Sequence, residues 1–463
     1  MFEKNVYVNR RKRLREQIDS GIVLVLGNVD ASMNYPSNAY HFRQDSNFLY
    51  FFGLDIQGFA GVMDIDNDKE YIFGDDVDMD DIIWMGDQPT VKELAGRVGV
   101  ENSAPFEKLH KFIQEEKTKG RNIHIYPTYR GEHYLTLSEV LGVNTGEVDD
   151  FVSEELIKAT VTMRSIKEDV EIAELDKAVD IAYEMHTTAM KMAAQTGILE
   201  REIYGMVEGI SLAKGGPVSF PVILTINGQT LHNHYHGNKL EKGRMMVTDA
   251  GAETPMHYAS DITRSVPVGG KFDSRQKAIY EIVLNANMNA IKSVKPGITN
   301  KELHLNAVRD VANGLKELGI MKGDIDEAVN QGAHAMFMPH GLGHMMGLDV
   351  HDMEGLGENY VGYGDEIKRS EQFGLAGLRL ARTLKPGFVF TIEPGCYFIP
   401  KLIDGWKSEG RFKEFINYDK LEEFKDFGGI RIEDDILVTN DSYRVLGKPI
   451  PKTVDEVEKL MNG

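Results

Sequence analysis

Two stretches of the chain place carboxylates in matching surroundings. Leu240-Glu241-Lys242-Gly243 leads after five residues into Asp249-Ala250-Gly251, and Leu384-Lys385-Pro386-Gly387 leads after five residues into Glu393-Pro394-Gly395. Each reads as a Gly-marked turn, an apolar strand (244–247; 388–392), a carboxylate at the strand end and a second glycine turn. A further strand is predicted after each, at 260–266 with Asp261 and at 429–438 with Glu433. Asp249 and Asp261 are too far apart for one helical turn but suit two adjacent antiparallel strands joined by the 253–256 loop. Glu393 and Glu433 repeat this with a longer connection. Taken singly, each is an ordinary surface or capping carboxylate. Brought together in a low-dielectric site, four would repel strongly, and two divalent cations would relieve that. The echo predicts two similar halves facing one another.

The histidines offer further donors. His340 and His344 lie four apart in Met338-Pro339-His340-Gly341-Leu342-Gly343-His344, but Gly341 and Gly343 favour extended backbone over a helix. In extended backbone, residues separated by an even number share a face. No acidic residue stands between the two, so the HExxH zinc pattern is absent. His351 follows seven residues on, and His232, His234 and His236 form another cluster. Of these last four, two are expected to touch a substrate.

These segments together resemble the proline dipeptidase (prolidase) and aminopeptidase P family, whose catalytic domain has the pita-bread fold shared with methionine aminopeptidase and creatinase. The resemblance rests on Val247-Thr248-Asp249-Ala250-Gly251, Ala259-Ser260-Asp261-Ile262-Thr263-Arg264, Pro339-His340-Gly341-Leu342-Gly343-His344, Thr391-Ile392-Glu393-Pro394-Gly395 and Gly428-Gly429-Ile430-Arg431-Ile432-Glu433-Asp434, in the family's order. Tyr40-His41-Phe42-Arg43-Gln44-Asp45-Ser46-Asn47-Phe48-Leu49-Tyr50 is similar to the signature of its accessory domain. The resemblance implies metal ligands Asp249, Asp261, His344, Glu393 and Glu433. It implies a short proline-containing peptide as substrate, cut on the amino side of proline, and a homodimer. Four carboxylates and one imidazole suit a hard cation, so two Mn2+ ions are expected, with Co2+, Zn2+ or Fe2+ as alternatives.

By the same resemblance, a hydroxide shared by the two ions attacks the carbonyl preceding proline, His351 helps hold the oxyanion, and His340 and His232 border the proline pocket. Glu393 passes a proton to the leaving nitrogen, and Arg431, sharing a strand face with Glu433, orients the carboxylates. Arg379 matches the arginine that pairs with a dipeptide's free carboxylate in prolidases, which makes a dipeptidase the leading expectation. An Xaa-Pro aminopeptidase acting on longer peptides is the alternative, and a metal-free peptide-binding or creatinase-like protein a third reading. The Gly-rich, charged segment 353–372 matches neither enzyme well: it is a lid or a solvated loop.

These groups need a scaffold, expected to be an α/β (α+β) chain with a small creatinase-like accessory domain at 1–158 and a pseudo-twofold pita-bread catalytic domain at 159–463. The apolar run 21–27 and the aromatic stretches 48–52 and 70–73 read as strands of the first domain. Residues 166–192 carry long-period apolar spacing without Pro or Gly and predict a long helix opening the second. A 463-residue chain exceeds one typical core. Its net charge of −20 disfavours nucleic acid and anionic membrane surfaces. No apolar run approaches a bilayer span, no secretory signal is apparent at residues 1–5, and Cys396 is the single cysteine, expected to be a small buried residue. Cytoplasm is the expected compartment.

Overall fold

A computed structural model describes residues 1–365 and 367–463, which form two compact units: Met1–Arg164 with Gly355–Gly357, and Ser165–Glu354 with Glu358–Gly463. In the first, β1 (Ile22–Leu26), β2 (Ala60–Asp64), β3 (Lys69–Phe73), β4 (Asn102–Ala104) and β5 (Ile123–His124) make a sheet of order β4-β3-β2-β1-β5. The central pairings β1/β2 and β2/β3 are antiparallel and the outer ones parallel. Ile22, Leu24 and Leu26, spaced by two, pack with Leu109, Ile113, Leu137 and Leu141 of two covering helices, as strand periodicity requires.

The aromatic stretch expected as a strand at 48–52 is a helix, Ser46–Phe52. Asp45 caps it, its side chain accepting from the Asn47 and Phe48 backbone amides, and Gly53 closes it in the left-handed region at φ 64°. Every residue of this helix is buried. Burial of its aromatic rings, together with the caps, outweighs the β-propensity of a Phe/Tyr-rich run.

The second unit opens with the long helix expected from the 166–192 pattern, Asp169–Ala193, followed by Glu200–Lys214. One sheet has the order β6-β7-β8, from β6 (Ile223–Thr225), β7 (Met245–Ala250) and β8 (Ile262–Pro267). A second has the order β13-β12-β9, from β9 (Val389–Ile392), β12 (Asp434–Val438) and β13 (Tyr443–Val445). Between β9 and β12 in sequence come β10 (Gly395–Tyr397) and β11 (Gly429–Arg431), paired antiparallel. The strand expected over 429–438 is therefore two strands in different sheets, broken at Ile432-Glu433. That break frees the backbone around Glu433 from either ladder. The mirrored pattern is explicit: β7 pairs antiparallel with β8, and β9 with β12, each pair carrying two carboxylates at one end. Segment 353–372 contains short helical turns at Glu354–Leu356 and Asn359–Tyr363, with Val361 and Tyr363 buried; Glu366 lies outside the described residues. Among the described residues, no helix is long and apolar enough to cross a membrane.

Candidate metal centre

Asp249 is the fifth residue of β7, and Asp261 immediately precedes β8. Glu393 immediately follows β9, and Glu433 immediately precedes β12. Buried polar groups tie these ends together. Asn287 donates to the carbonyls of Ile392 and Ile432, the residues just before Glu393 and Glu433, at 3.1 and 3.3 Å. Arg264 of β8 donates to the Glu433 carbonyl at 2.6 Å and to Asp434 at 2.7 Å. The Asp261 amide donates to the Asp435 carboxylate at 3.1 Å, and Thr263 Oγ1 donates to Glu433 at 2.6 Å.

Residues 338–346 run without helix beside β9, as the glycines predicted. The Glu393 amide donates to the Leu342 carbonyl and the Thr391 amide to the His344 carbonyl, at 2.8 and 3.0 Å. His344 Nδ1 lies 3.1 Å from the Met345 carbonyl oxygen, an acceptor, so Nδ1 carries the proton. Nε2 is then an unprotonated lone pair, and it faces Asp261 Oδ2 at 3.3 Å and Glu393 Oε1 at 3.9 Å. Burial, reinforced by His351, holds His344 neutral, well below the usual imidazole range.

Donor atoms of Asp249, Asp261 and Glu433 lie within 4.8 Å of one another, as do those of His344, Glu393 and Glu433, and those of Asp261, His344 and His351. Asp249 Oδ1 and Asp261 Oδ1 are buried with no hydrogen-bond partner. Burial and the neighbouring carboxylates push Asp261 and Glu433 well above the ordinary carboxyl range. Burial and the Asp249 charge push Glu393 up to about 7, against the opposing pull of Arg431. Lone pairs aimed at lone pairs, orphaned carboxylate oxygens and mutual repulsion are what divalent cations relieve. The donor set of four carboxylates and one imidazole fits two of them.

Around this cluster lies a cavity of about 670 Å³, lined among others by His232, His234, His340, His351, Arg379 and Arg431, with Phe220, Pro221, Ile223 and Leu231 as apolar wall. Asp249, Asp261, His344, Glu393 and Glu433 border it as well. Of the four histidines from which two were expected to reach a substrate, three line the cavity. His236 does not: its Nδ1 pairs with the Leu224 carbonyl and its ring stacks on Tyr204. Arg431 is fully engaged, donating to Asp249 at 2.5 Å, to Thr263 Oγ1 at 3.1 Å and to the Tyr397 hydroxyl at 2.9 Å. His340 Nε2 lies 3.0 Å from that hydroxyl, and burial lowers its imidazole to about 4. His351 Nδ1 pairs with Glu354 at 2.5 Å. Arg379 is not a bare guanidinium: it pairs with Glu354 and, at 2.8 Å, with Glu358. Cys396 is buried, which pushes its thiol up and leaves it unreactive.

Sequence reasoning assigned no role to Tyr397, Thr263, Glu354 or Glu358. Tyr397 sits two residues past Gly395 on β10, but its junction with His340 and Arg431 depends on the β10/β11 register, which no local pattern reveals.

Residues 173–440 match the model of metallopeptidase family M24, and residues 7–126 match the aminopeptidase P N-terminal domain. The chain is 32% identical over 467 residues to a Homo sapiens protein named Xaa-Pro dipeptidase, covering 98% of this chain and 91% of that one. It is 30% identical to a Metarhizium acridum protein named probable Xaa-Pro aminopeptidase, covering 95% and 90%. A solved structure of Escherichia coli aminopeptidase P, in its low-pH form, is similar with a TM-score of 0.82 at 28% identity, covering 100% of this chain and 99% of that one. The chain therefore belongs to metallopeptidase family M24, with an aminopeptidase P N-terminal domain ahead of the M24 region.

Proposed function

We propose that this chain hydrolyses the bond preceding proline, acting chiefly on Xaa-Pro dipeptides, with Asp249, Asp261, His344, Glu393 and Glu433 holding two divalent cations. The observation that carries the reading is the His344 Nε2 lone pair directed at Asp261 and Glu393 beside orphaned oxygens on Asp249 and Asp261. Manganese is the proposed native metal, on the oxygen-rich donor set, with cobalt, zinc or iron as substitutes. The chemistry such cations supply is polarisation of a carbonyl and activation of water.

The chain's own groups then divide the work. Glu393, about one-fifth exposed at the cavity, is placed to take a proton from the attacking water and pass it to the leaving nitrogen. His351, its Nδ1 held by Glu354 at the edge of the cavity, is proposed to help hold the oxyanion. Arg431 fixes one oxygen of Asp249 and, through Tyr397, orients His340. His232, His340 and the apolar wall border the space for a proline ring. Proline lacks an amide donor and has a fixed φ, so a site that grips through shape and cations suits it better than strand-like capture. Arg379 is proposed to receive a dipeptide's carboxylate.

The division into an accessory domain at 1–158 and a catalytic domain at 159–463 belongs to the same proposal, and the cytoplasm is its proposed compartment, given the single buried Cys396. A homodimer is supported by the helix Met79–Met85, which has no buried residue and presents Ile83 and Trp84, 70% and 86% exposed. A solution mass of one chain by light scattering would contradict the dimer. For the activity, manganese-loaded protein is assayed on Ala-Pro and Ala-Pro-Ala, with Arg379→Ala alongside. Hydrolysis of Ala-Pro, weakened in the variant, supports the dipeptidase. Hydrolysis of the tripeptide alone supports the aminopeptidase, the reading that the fungal relative's name favours.

A further inference from the structure

Arg431, the other arginine at the cavity, is fully buried and committed to Asp249, Thr263 and Tyr397. Arg379 is different: its side chain is 34% exposed and borders the cavity, yet two carboxylates outside the lining hold its guanidinium. Glu358 in turn pairs with Arg369. The two arginines and two glutamates balance in charge, and Glu354 also holds His351 Nδ1.

The pairing is built into the backbone. Glu358 directly precedes the turn Asn359–Tyr363, and that turn is docked onto the segment carrying Arg379. The Gly362 carbonyl accepts from the Ala381 and Arg382 amides at 2.8 and 2.9 Å, and the Tyr363 hydroxyl donates to the Leu378 carbonyl at 2.5 Å. A Cβ on Gly362 would come within 1.7 Å of the Arg379 carbonyl oxygen, so the contact admits no side chain. Fixed geometry of this kind removes the entropy cost that makes most surface ion pairs weak.

We propose that Glu358, together with Glu354, is a specificity-determining element that sets how strongly the cavity grips a substrate's carboxylate. This rests on the reading of the cavity as an Xaa-Pro site. An incoming carboxylate must share a guanidinium already neutralised, so it gains less than it would from a free arginine. Peptides lacking a carboxylate at that position are correspondingly less disfavoured, and the enzyme tolerates both lengths. Removing the Glu358 charge leaves the cluster with one net positive charge and strengthens dipeptide capture.

The test is the ratio of kcat/KM for Ala-Pro to that for Ala-Pro amide, which lacks the carboxylate, on the manganese-loaded full chain. A general loss of folding or metal lowers both rates and leaves the ratio in place. Glu358→Gln is expected to raise the ratio about fivefold, the scale of one well-held ion pair. Glu358→Asp, which keeps the charge, stays closer to wild type. Arg369→Gln, which releases Glu358 to bind Arg379 more tightly, lowers the ratio and serves should the glutamine variant not fold. Ratios unchanged in Glu358→Gln or Arg369→Gln, with both peptides still cleaved, overturn this inference alone. Wild-type protein that cleaves neither peptide overturns the Xaa-Pro reading and this inference with it.

Discussion

Replacing Glu393 with glutamine is expected to stabilise the metal-free protein while abolishing turnover. In the folded chain the Glu393 carboxyl is raised from 4.5 to about 7, chiefly by burial and then by the charge on Asp249. At about 1.4 kcal/mol for each tenfold change in proton affinity, ionising it costs the metal-free fold at most about 3.5 kcal/mol. The side chain is 20% exposed, and water reaching it through the cavity reduces this to about 1–2 kcal/mol. The sign follows from linkage. A carboxyl raised on folding favours the folded state below its unfolded value, and that contribution is lost as pH climbs through about 7. Glu393→Gln has no such loss. In chelator, its melting temperature should therefore exceed wild type by roughly 1–3 °C at pH 8 and match it near pH 5. Adding manganese should raise wild type more than the variant, because the carboxylate is then neutralised by a cation. Thermal melts at the two pH values, with chelator and with metal, measure the stability changes, and Ala-Pro hydrolysis by the metal-loaded variant measures the turnover. A variant no more stable than wild type at pH 8 without metal, or equally favoured at pH 5, would refute the reasoning.

Three further substitutions probe the scaffold. Gly343→Ala places a Cβ 1.9 Å from the Thr391 carbonyl oxygen, so His344 and β9 cannot keep their spacing; a loss of about 3 kcal/mol or more, or no soluble protein, is expected in expression and melting assays. Arg264→Met leaves the Asp434 carboxylate with one buried cation fewer and should cost about 3–5 kcal/mol at pH 7 in chemical denaturation. Burial opposes but Arg264 and Lys452 hold Asp434 far below the ordinary carboxyl range, so the deficit should shrink as acid protonates that group. Tyr397→Phe removes the hydroxyl shared by His340 and Arg431; kcat/KM should fall about tenfold in steady-state assays, with a stability loss of only about 1–2 kcal/mol.

The four carboxylates were legible because Asp249 and Glu393 each end a short local pattern, a glycine turn, an apolar strand and an acid, because a further strand carrying Asp261 or Glu433 follows each, and because the whole arrangement occurs twice. The glycines beside His344 exclude a helix there, whereas its place among the ligands was implied by the family resemblance and not by spacing. Where the reading went astray, local signals competed. The aromatic content of Phe48–Phe52 favours a strand, whereas Asp45 and Gly53 cap the segment as a helix. Residues 429–438 read locally as one strand. The break at Ile432-Glu433 is imposed by partners distant in sequence, Asn287 and Arg264. The Glu354 and Glu358 grip on Arg379 arises from a turn docked some twenty residues upstream, a contact that no spacing rule encodes.

Anomalous diffraction at the manganese edge, from crystals of manganese-loaded protein, tests the central claim most directly. Two peaks roughly 3.5–4 Å apart, which between them take Asp249, Asp261, His344, Glu393 and Glu433 as ligands, are the predicted result. No peak among these side chains, or metal bound only elsewhere on the chain, would contradict it.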